Sequence, residues 1–259
     1  MKWMKRSWVV ILMGILSVNL FGFGTFGTFC QEDFQNNWTT TIPSTWTRCG
    51  NFNIEMRNSM AQAYYYNMVG AAWLFHTPGS SQSSSGIDAV DLLWASTHGG
   101  TWSGPVRSIM TMWNDWVVAS SPQMRLGNRL SILATYSCML LRSDDGNFGT
   151  RLRNIWDGGL RIWTGSHNLL YAGSSTNMLE IGRNFARSMR TNSATIKMAW
   201  YDAVRRASNS NNIAVAATGR TADECHSRKD NMRLNNYGTY LRLRDNDVRF
   251  YCWSTWNSI

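Results

Sequence analysis

The sequence predicts an α/β domain built on a mostly parallel central sheet. Two short apolar runs carry that reading: Asp91-Leu92-Leu93-Trp94-Ala95-Ser96 and Leu130-Ser131-Ile132-Leu133-Ala134-Thr135-Tyr136. Both are bounded by Gly, Ser or Asn and rich in Leu, Ile, Trp and Tyr, as expected of strands buried on both faces. Segments with helical apolar spacing lie around them. With 259 residues, 44% of them hydrophobic, the chain is long enough to bury one full core.

Met1-Lys2-Trp3-Met4-Lys5-Arg6 is a basic head followed by an apolar run from Trp8 to Phe21, and Gly22 and Gly24 suit cleavage before Thr25. Residues 1–24 therefore resemble a secretory signal peptide. An uncleaved anchor competes, because Trp8 to Phe29 is just long enough to span a bilayer. The rest, 25–259, reads as a single secreted or periplasmic domain, free of the membrane once the signal is cleaved. Its core is placed at about 50–220, with a polar, irregular C-terminal extension over 221–259. Loss of Lys2, Lys5 and Arg6 lowers the net charge from +9 to +6. The remaining excess is scattered Arg, which argues for a solvated surface and against a nucleic-acid face. Most of the fourteen Trp sit in apolar periodic segments and read as core.

Taken in order, Gln31 to Arg48 is polar, broken at Ile42-Pro43, with room for an edge strand. Asn51-Phe52-Asn53 offers a helix N-cap, and Met56, Met60, Ala63, Tyr64 and Met68 recur at helical spacing, so a helix to about Trp73 is expected. His76 to Gly86 has loop composition. Gly99 to Pro105 is loop-like, and Ile109 to Val118 suits a hairpin or a helix. A polar turn at Ser143 to Asn147 precedes an expected short helix over Leu152 to Ile162 and a buried strand over His167 to Gly173. Helices follow over Asn177 to Arg190, with Glu180 in a capping-box-like position, and over Ser193 to Ala207. Ile213 to Ala217 reads as a last buried strand, and Val248 to Trp253 as an edge strand.

The chemistry sits at the ends of the two runs. His98 follows the first and Cys138 the second, forty residues on, which leaves room for one crossover. Ligands in open parallel sheets bind beyond the carboxyl ends of the strands. The two residues are thus expected on one rim, where imidazole can take the thiol proton. The bland alternative is an inert buried thiol and a strand-end histidine engaged in packing. His167 suits either a supporting or a packing role. Asp144 and Asp145 suit a solvated turn, or selection of a basic side chain. Cys225-His226 beside Asp223 and Glu224 lacks spaced partners, so no metal site is expected, and no cofactor. Asn37-Trp38-Thr39 is a sequon without meaning in a typical bacterium.

The order of elements, a strand ending in His-Gly and a strand ending in Ser-Cys followed by strand, helices and strand, resembles the caspase-like fold of caspases, gingipains, clostripain, legumain and separase. Thr97-His98-Gly99-Gly100, Tyr136-Ser137-Cys138, Gly165-Ser166-His167 and Gly182-Arg183-Asn184-Phe185-Ala186 look like an uncharacterised family of secreted bacterial caspase-like domains. The resemblance covers roughly residues 50 to 220. It implies a caspase-like three-layer α/β/α sandwich and an exported cysteine endopeptidase acting on protein or peptide. His98 would be the base and Cys138 the nucleophile, with the backbone N–H groups of Gly99 and Cys138 as oxyanion donors. Two departures stand out: the segment before His98 is short for two βα units, and no residue matches the primary specificity pocket. A non-catalytic secreted module of the same fold, binding a glycan or a protein partner through Trp-lined loops, is the alternative.

Export also sets the cysteine expectation, because disulfides persist outside the reducing cytoplasm. With Cys138 free, Cys30, Cys49, Cys225 and Cys252 form an even set, two near each end of the mature chain. Local pairing, Cys30 with Cys49 and Cys225 with Cys252, is expected to staple segments outside the catalytic sheet.

Overall fold

The computed structural model describes residues 24–32, 42, 44–68, 86–102, 107–111, 116–118, 129–143, 146–149, 159–170, 174–191, 194–207, 213–243 and 247–256. The signal-peptide expectation over 1–24 falls almost wholly outside them, as do Asp144, Asp145 and the loop at His76.

The chain is an α/β sandwich with a mostly parallel central sheet, as the sequence predicts. The strands in chain order are β1 (Thr25–Gln31), β2 (Ala61–Met68), β3 (Leu92–Ser96), β4 (Gly99–Trp102), β5 (Arg107–Thr111), β6 (Trp116–Val118), β7 (Ile132–Tyr136), β8 (Ile162–Ser166), β9 (Ile213–Gly219) and β10 (Phe250–Trp256). Seven form one sheet in the order β10-β9-β8-β7-β3-β1-β2. From β2 to β8 every pairing is parallel, whereas β9 is antiparallel to both its neighbours. Of the two alternatives left for Ile109 to Val118 the hairpin is the one present, and Gly99–Trp102, read as loop, is a strand instead: β4, β5 and β6 make a separate three-stranded antiparallel sheet.

The helices are α1 (Thr45–Met56), α2 (Thr176–Leu179), α3 (Ile181–Thr191), α4 (Ile196–Ala207) and α5 (Ala222–Asn231). Alternate residues of each strand face opposite sides. Phe26, Trp94, Ile132, Ala134, Ile162 and Val215 pack with Phe52 of α1, Phe185 of α3 and Trp200 of α4. Phe52 stacks on Trp94 at 5.0 Å between ring centroids, and Trp200 meets Phe185 edge-on at 5.3 Å. The indole Nε1 of Trp200 donates to the Gly165 carbonyl at 2.9 Å, so the ring is both buried and satisfied. The other face carries Phe29, Leu93, Ala95, Leu133 and Trp163, covered by Ile87, Met110, Leu140, Leu141 and Phe148. A Cβ at Gly182 would lie 2.4 Å from the Arg48 carbonyl, so glycine is what lets α3 press onto α1.

Four expectations are corrected. The helix expected from Asn51 to Trp73 begins at Thr45 and stops at Met56; the chain turns at 57–60 and Ala61–Met68 enters the sheet. Met56, Met60 and Tyr64 mimic a helical stripe, but Tyr64-Tyr65-Tyr66 is β-favouring, and pairing with β1 decides. Where the sequence offered only an edge strand from Gln31 onward, Thr25–Gln31 is an interior strand between β3 and β2, so one full βα unit and a further strand precede β3. The strand expected over His167 to Gly173 lies instead at Ile162–Ser166, and His167 follows its carboxyl end, while the short helix expected over Leu152 to Ile162 falls mostly outside the described residues. The helix expected from Asn177 to Arg190 is interrupted at Glu180, whose carboxylate accepts from Asn51 and Arg183.

Both expected disulfides are present, Cys30–Cys49 with Cα atoms 6.2 Å apart and Cys225–Cys252 with 5.9 Å, and Cys138 is free. They do not lie outside the sheet, however. Cys30 is in β1 and Cys252 in β10, so each bond ties a strand to a helix. Among the described residues no helix is long and apolar enough to cross a membrane.

Candidate active site

β3 and β7 are parallel neighbours, with Ser96 opposite Tyr136. His98 and Cys138 each lie two residues past that last pair, so they leave the same rim at the same height. The contact between the two segments is closest at Gly99. A Cβ built there would stand 2.3 Å from the Cys138 carbonyl oxygen, 3.0 Å from the Ser137 Cβ and 3.1 Å from the Cys138 nitrogen. Only a residue without a side chain lets β4 start against the Cys138 backbone.

Beyond Cys138 the chain turns sharply. Met139 has φ 54°, a left-handed conformation that a non-glycine residue adopts at a cost of order 1–3 kcal/mol. The turn is held from the β8 side: Met139 N–H donates to the Asn168 carbonyl at 3.0 Å, and Leu141 N–H to the Ser166 carbonyl at 2.9 Å. The same loop engages the sulfur. Leu170 N–H donates to Cys138 Sγ at 3.3 Å, and the thiol donates to the Leu170 carbonyl at 3.4 Å. Burial pushes the thiol pKa up, and the Leu170 N–H works in the opposite direction. Leu170 was not singled out in the sequence, because its role depends on where β8 ends.

A second missed residue is Arg48. It is fully buried on α1, its guanidinium carbon 5.5 Å from the centroid of the Tyr136 ring, with Nη2 donating to Thr45 Oγ1 at 2.9 Å. Burial lowers its pKa, while Tyr136 and Glu32 act to raise it. Burial pushes Tyr136 to about 12, with Arg48 opposing and Cys138 reinforcing, so the phenol is neutral under physiological conditions. A cation thus stands behind Tyr136, two residues before Cys138. Its one sequence signal was position: Arg48 shares a helical stripe with Phe52 and Met56 where an apolar residue belongs. Ser96 Oγ and Ser137 Oγ are buried beneath the rim without a hydrogen-bond partner among the described residues.

His98 and His167 are both partly exposed at this rim, following β3 and β8, which flank β7. Cys225 is spent in its disulfide, and His226, 60% exposed on α5, lies 4.0 Å from Asp230. Among the described residues no group of three or more His, Cys, Asp or Glu is placed to hold a metal.

A family model spans almost the whole of this structure, matching residues 32–255. The chain belongs to that family, described as a domain of unknown function, DUF6345. No curated protein matches it significantly. Two solved structures are similar at low identity. One, "structure of pro-sf-caspase-1", is 8% identical with a TM-score of 0.43, over 70% of this chain and 79% of that one. The other, caspase-1 from Spodoptera frugiperda, is 8% identical with a TM-score of 0.43, over 92% and 88%. In this DUF6345 chain the architecture is therefore argued from its own strand order and register.

Proposed function

We propose that this chain is an exported cysteine endopeptidase in which Cys138 is the nucleophile and His98 the base. The observation that supports this most is the register of β3 against β7, which brings His98, Gly99 and Cys138 to one rim with Gly99 against the Cys138 backbone. In the reaction, His98 takes the thiol proton as Sγ attacks the scissile carbonyl carbon. Backbone N–H groups of Gly99 and Cys138 hold the resulting oxyanion. His98 then protonates the departing amine, leaving an acyl thioester that water hydrolyses to regenerate the thiol. Leu170 N–H, already directed at the sulfur, favours the thiolate form. The disulfides and the basic, apolar N-terminus support export.

The second reading is a non-catalytic secreted module, binding a glycan or a protein partner on the same scaffold. It draws on the burial that raises the Cys138 thiol and on that thiol's engagement with Leu170. The deciding experiment incubates the exported protein with a diverse peptide library beside Cys138→Ala and His98→Ala. Cleavage lost in both variants supports the peptidase. Cleavage absent in the parent, or retained in Cys138→Ala, overturns it.

A further inference from the structure

The opposite rim of the sheet, at the amino ends of β7 and β8, holds a cluster of guanidinium groups that the proposed chemistry does not use. Arg161, immediately before β8, is 6% exposed. Its Nη1 donates to Ser131 Oγ at 2.5 Å, its guanidinium lies 6.0 Å from the Tyr237 ring centroid, and its Nε is buried without a partner. Arg242 Nη2 donates to the Arg129 carbonyl and also reaches the same hydroxyl, Ser131 Oγ at 3.4 Å, so two cations converge on one neutral oxygen. Arg228 on α5 is fully buried, with Nε and Nη1 both unpartnered.

The nearby carboxylates are committed elsewhere. Asp91 accepts from Thr25 N–H and from Arg129. Asp88 accepts from the Arg129 and Leu130 N–H groups. Glu224 pairs with Arg220 and with Arg228 Nη2. None pairs with Arg161 among the described residues. Burial first, then Arg242 and Arg228, lower the Arg161 pKa to about 10. Tyr237 and Asp91 oppose this only as the smaller influences; a buried cation without a directly paired counter-charge costs several kcal/mol, and a guanidinium fork matches the geometry of an oxyanion.

We infer that Arg161, with Arg242 and Arg228, forms a binding site for a small multivalent oxyanion of the phosphate or sulfate type, seated over Ser131 at the amino-end rim. Depth favours a free ion over a polymer, since Arg161 and Arg228 are almost inaccessible. The ion would bridge β8, α5 and the Arg242 segment, and would act on stability independently of Cys138.

The test follows thermal unfolding of the full chain in inorganic phosphate and in sulfate, against sodium chloride at matched ionic strength. These anions stabilise any protein by exclusion, in a non-saturating way, so the informative component is the saturable one. Calorimetric titration with inorganic phosphate reads the same site directly. A saturable response in the parent, weakened tenfold or more in Arg161→Gln and in the more exposed Arg242→Gln, supports the site. A parent response that is non-saturating, or that both variants retain at full strength, overturns it. If Arg161→Gln fails to fold, Arg242→Gln with calorimetry still decides.

Discussion

At the carboxyl ends of β3, β7 and β8 the chain places His98, Cys138 and His167 over the buried, unpartnered hydroxyls of Ser96 and Ser137. At the amino ends of the same strands it places Asp91, Ser131 and Arg161, bound into ion pairs and hydrogen bonds that reach Thr25, Arg129 and Arg242. One rim has its strand ends tied by charge; the other buries two hydroxyls that are unpartnered among the described residues and accepts a strained Met139 beside its one free thiol. Unsatisfied polar groups and strain cost stability, and proteins keep them where function requires them. The strained turn and the free thiol thus favour the carboxyl rim for the proposed peptidase chemistry, and the buried guanidinium nitrogens favour the amino rim for the inferred anion.

The largest expected effect is on activity. Cys138→Ala should lower peptide hydrolysis by roughly 10³-fold or more with the fold intact by circular dichroism, whereas Asp91→Asn should leave turnover unchanged. Equal losses from the two rims would break the comparison. Gly99→Ala comes next. Because its Cβ would meet the Cys138 carbonyl oxygen at 2.3 Å, the backbone must shift, at a cost on the order of 1–3 kcal/mol, with turnover falling as well. An unfolding midpoint equal to the parent's would contradict it.

The disulfides sharpen the contrast, since Cys30 pairs across from Ser96 near the carboxyl rim and Cys252 from Ala217 toward the other end. Closing 19- and 27-residue separations, each contributes about 3 kcal/mol by the loop-entropy argument, so the double-serine variants should lose similar stability in denaturant titrations. Only loss of Cys30–Cys49 should alter the alkylation rate of Cys138, because it loosens α1 and with it Arg48 behind Tyr136. Smaller again is Asp91→Asn, expected to cost roughly 1–2 kcal/mol by weakening charge-assisted bonds to Thr25 and Arg129.

What the sequence revealed of this arrangement depended on whether a signal was local. β3 and β7 are continuous apolar runs and α4 an unbroken stripe, so burial alone identified them, and His98 and Cys138 came with their strand ends. β2 was hidden because methionines four apart imitate a helix where pairing with β1 overrides spacing. β8 was displaced by a few residues because Ile162-Trp163-Thr164 and Leu169-Leu170-Tyr171 are both apolar enough for a strand. α5 was missed although Thr221 accepts from Glu224 N–H and Glu224 accepts from Arg220 N–H, a capping box written as Thr-x-x-Glu. Arg48, Leu170 and Arg161 act through residues 30 to 90 positions away, and no spacing rule reaches that far.

The last and subtlest expectation concerns the thiol itself, and it separates two states of the carboxyl rim. If His98 and Cys138 rested as an imidazolium–thiolate pair, the thiol would titrate well below the ordinary range near 8.5. Burial instead raises the Cys138 pKa, with Leu170 N–H opposing, so at neutral pH the resting group is the protonated thiol donating to the Leu170 carbonyl. In the proposed peptidase, proton transfer to His98 then belongs to the attack step, and substrate must displace the thiol from Leu170 first. Because Cys138 is the one cysteine outside a disulfide, iodoacetamide reads it alone in the unreduced protein. The alkylation rate should climb with pH through a midpoint above the ordinary thiol range, and His98→Ala should leave that midpoint in place while lowering turnover. A midpoint below 7 that rises in His98→Ala would mean a preformed ion pair, and would move the carboxyl rim closer in character to the charged rim opposite.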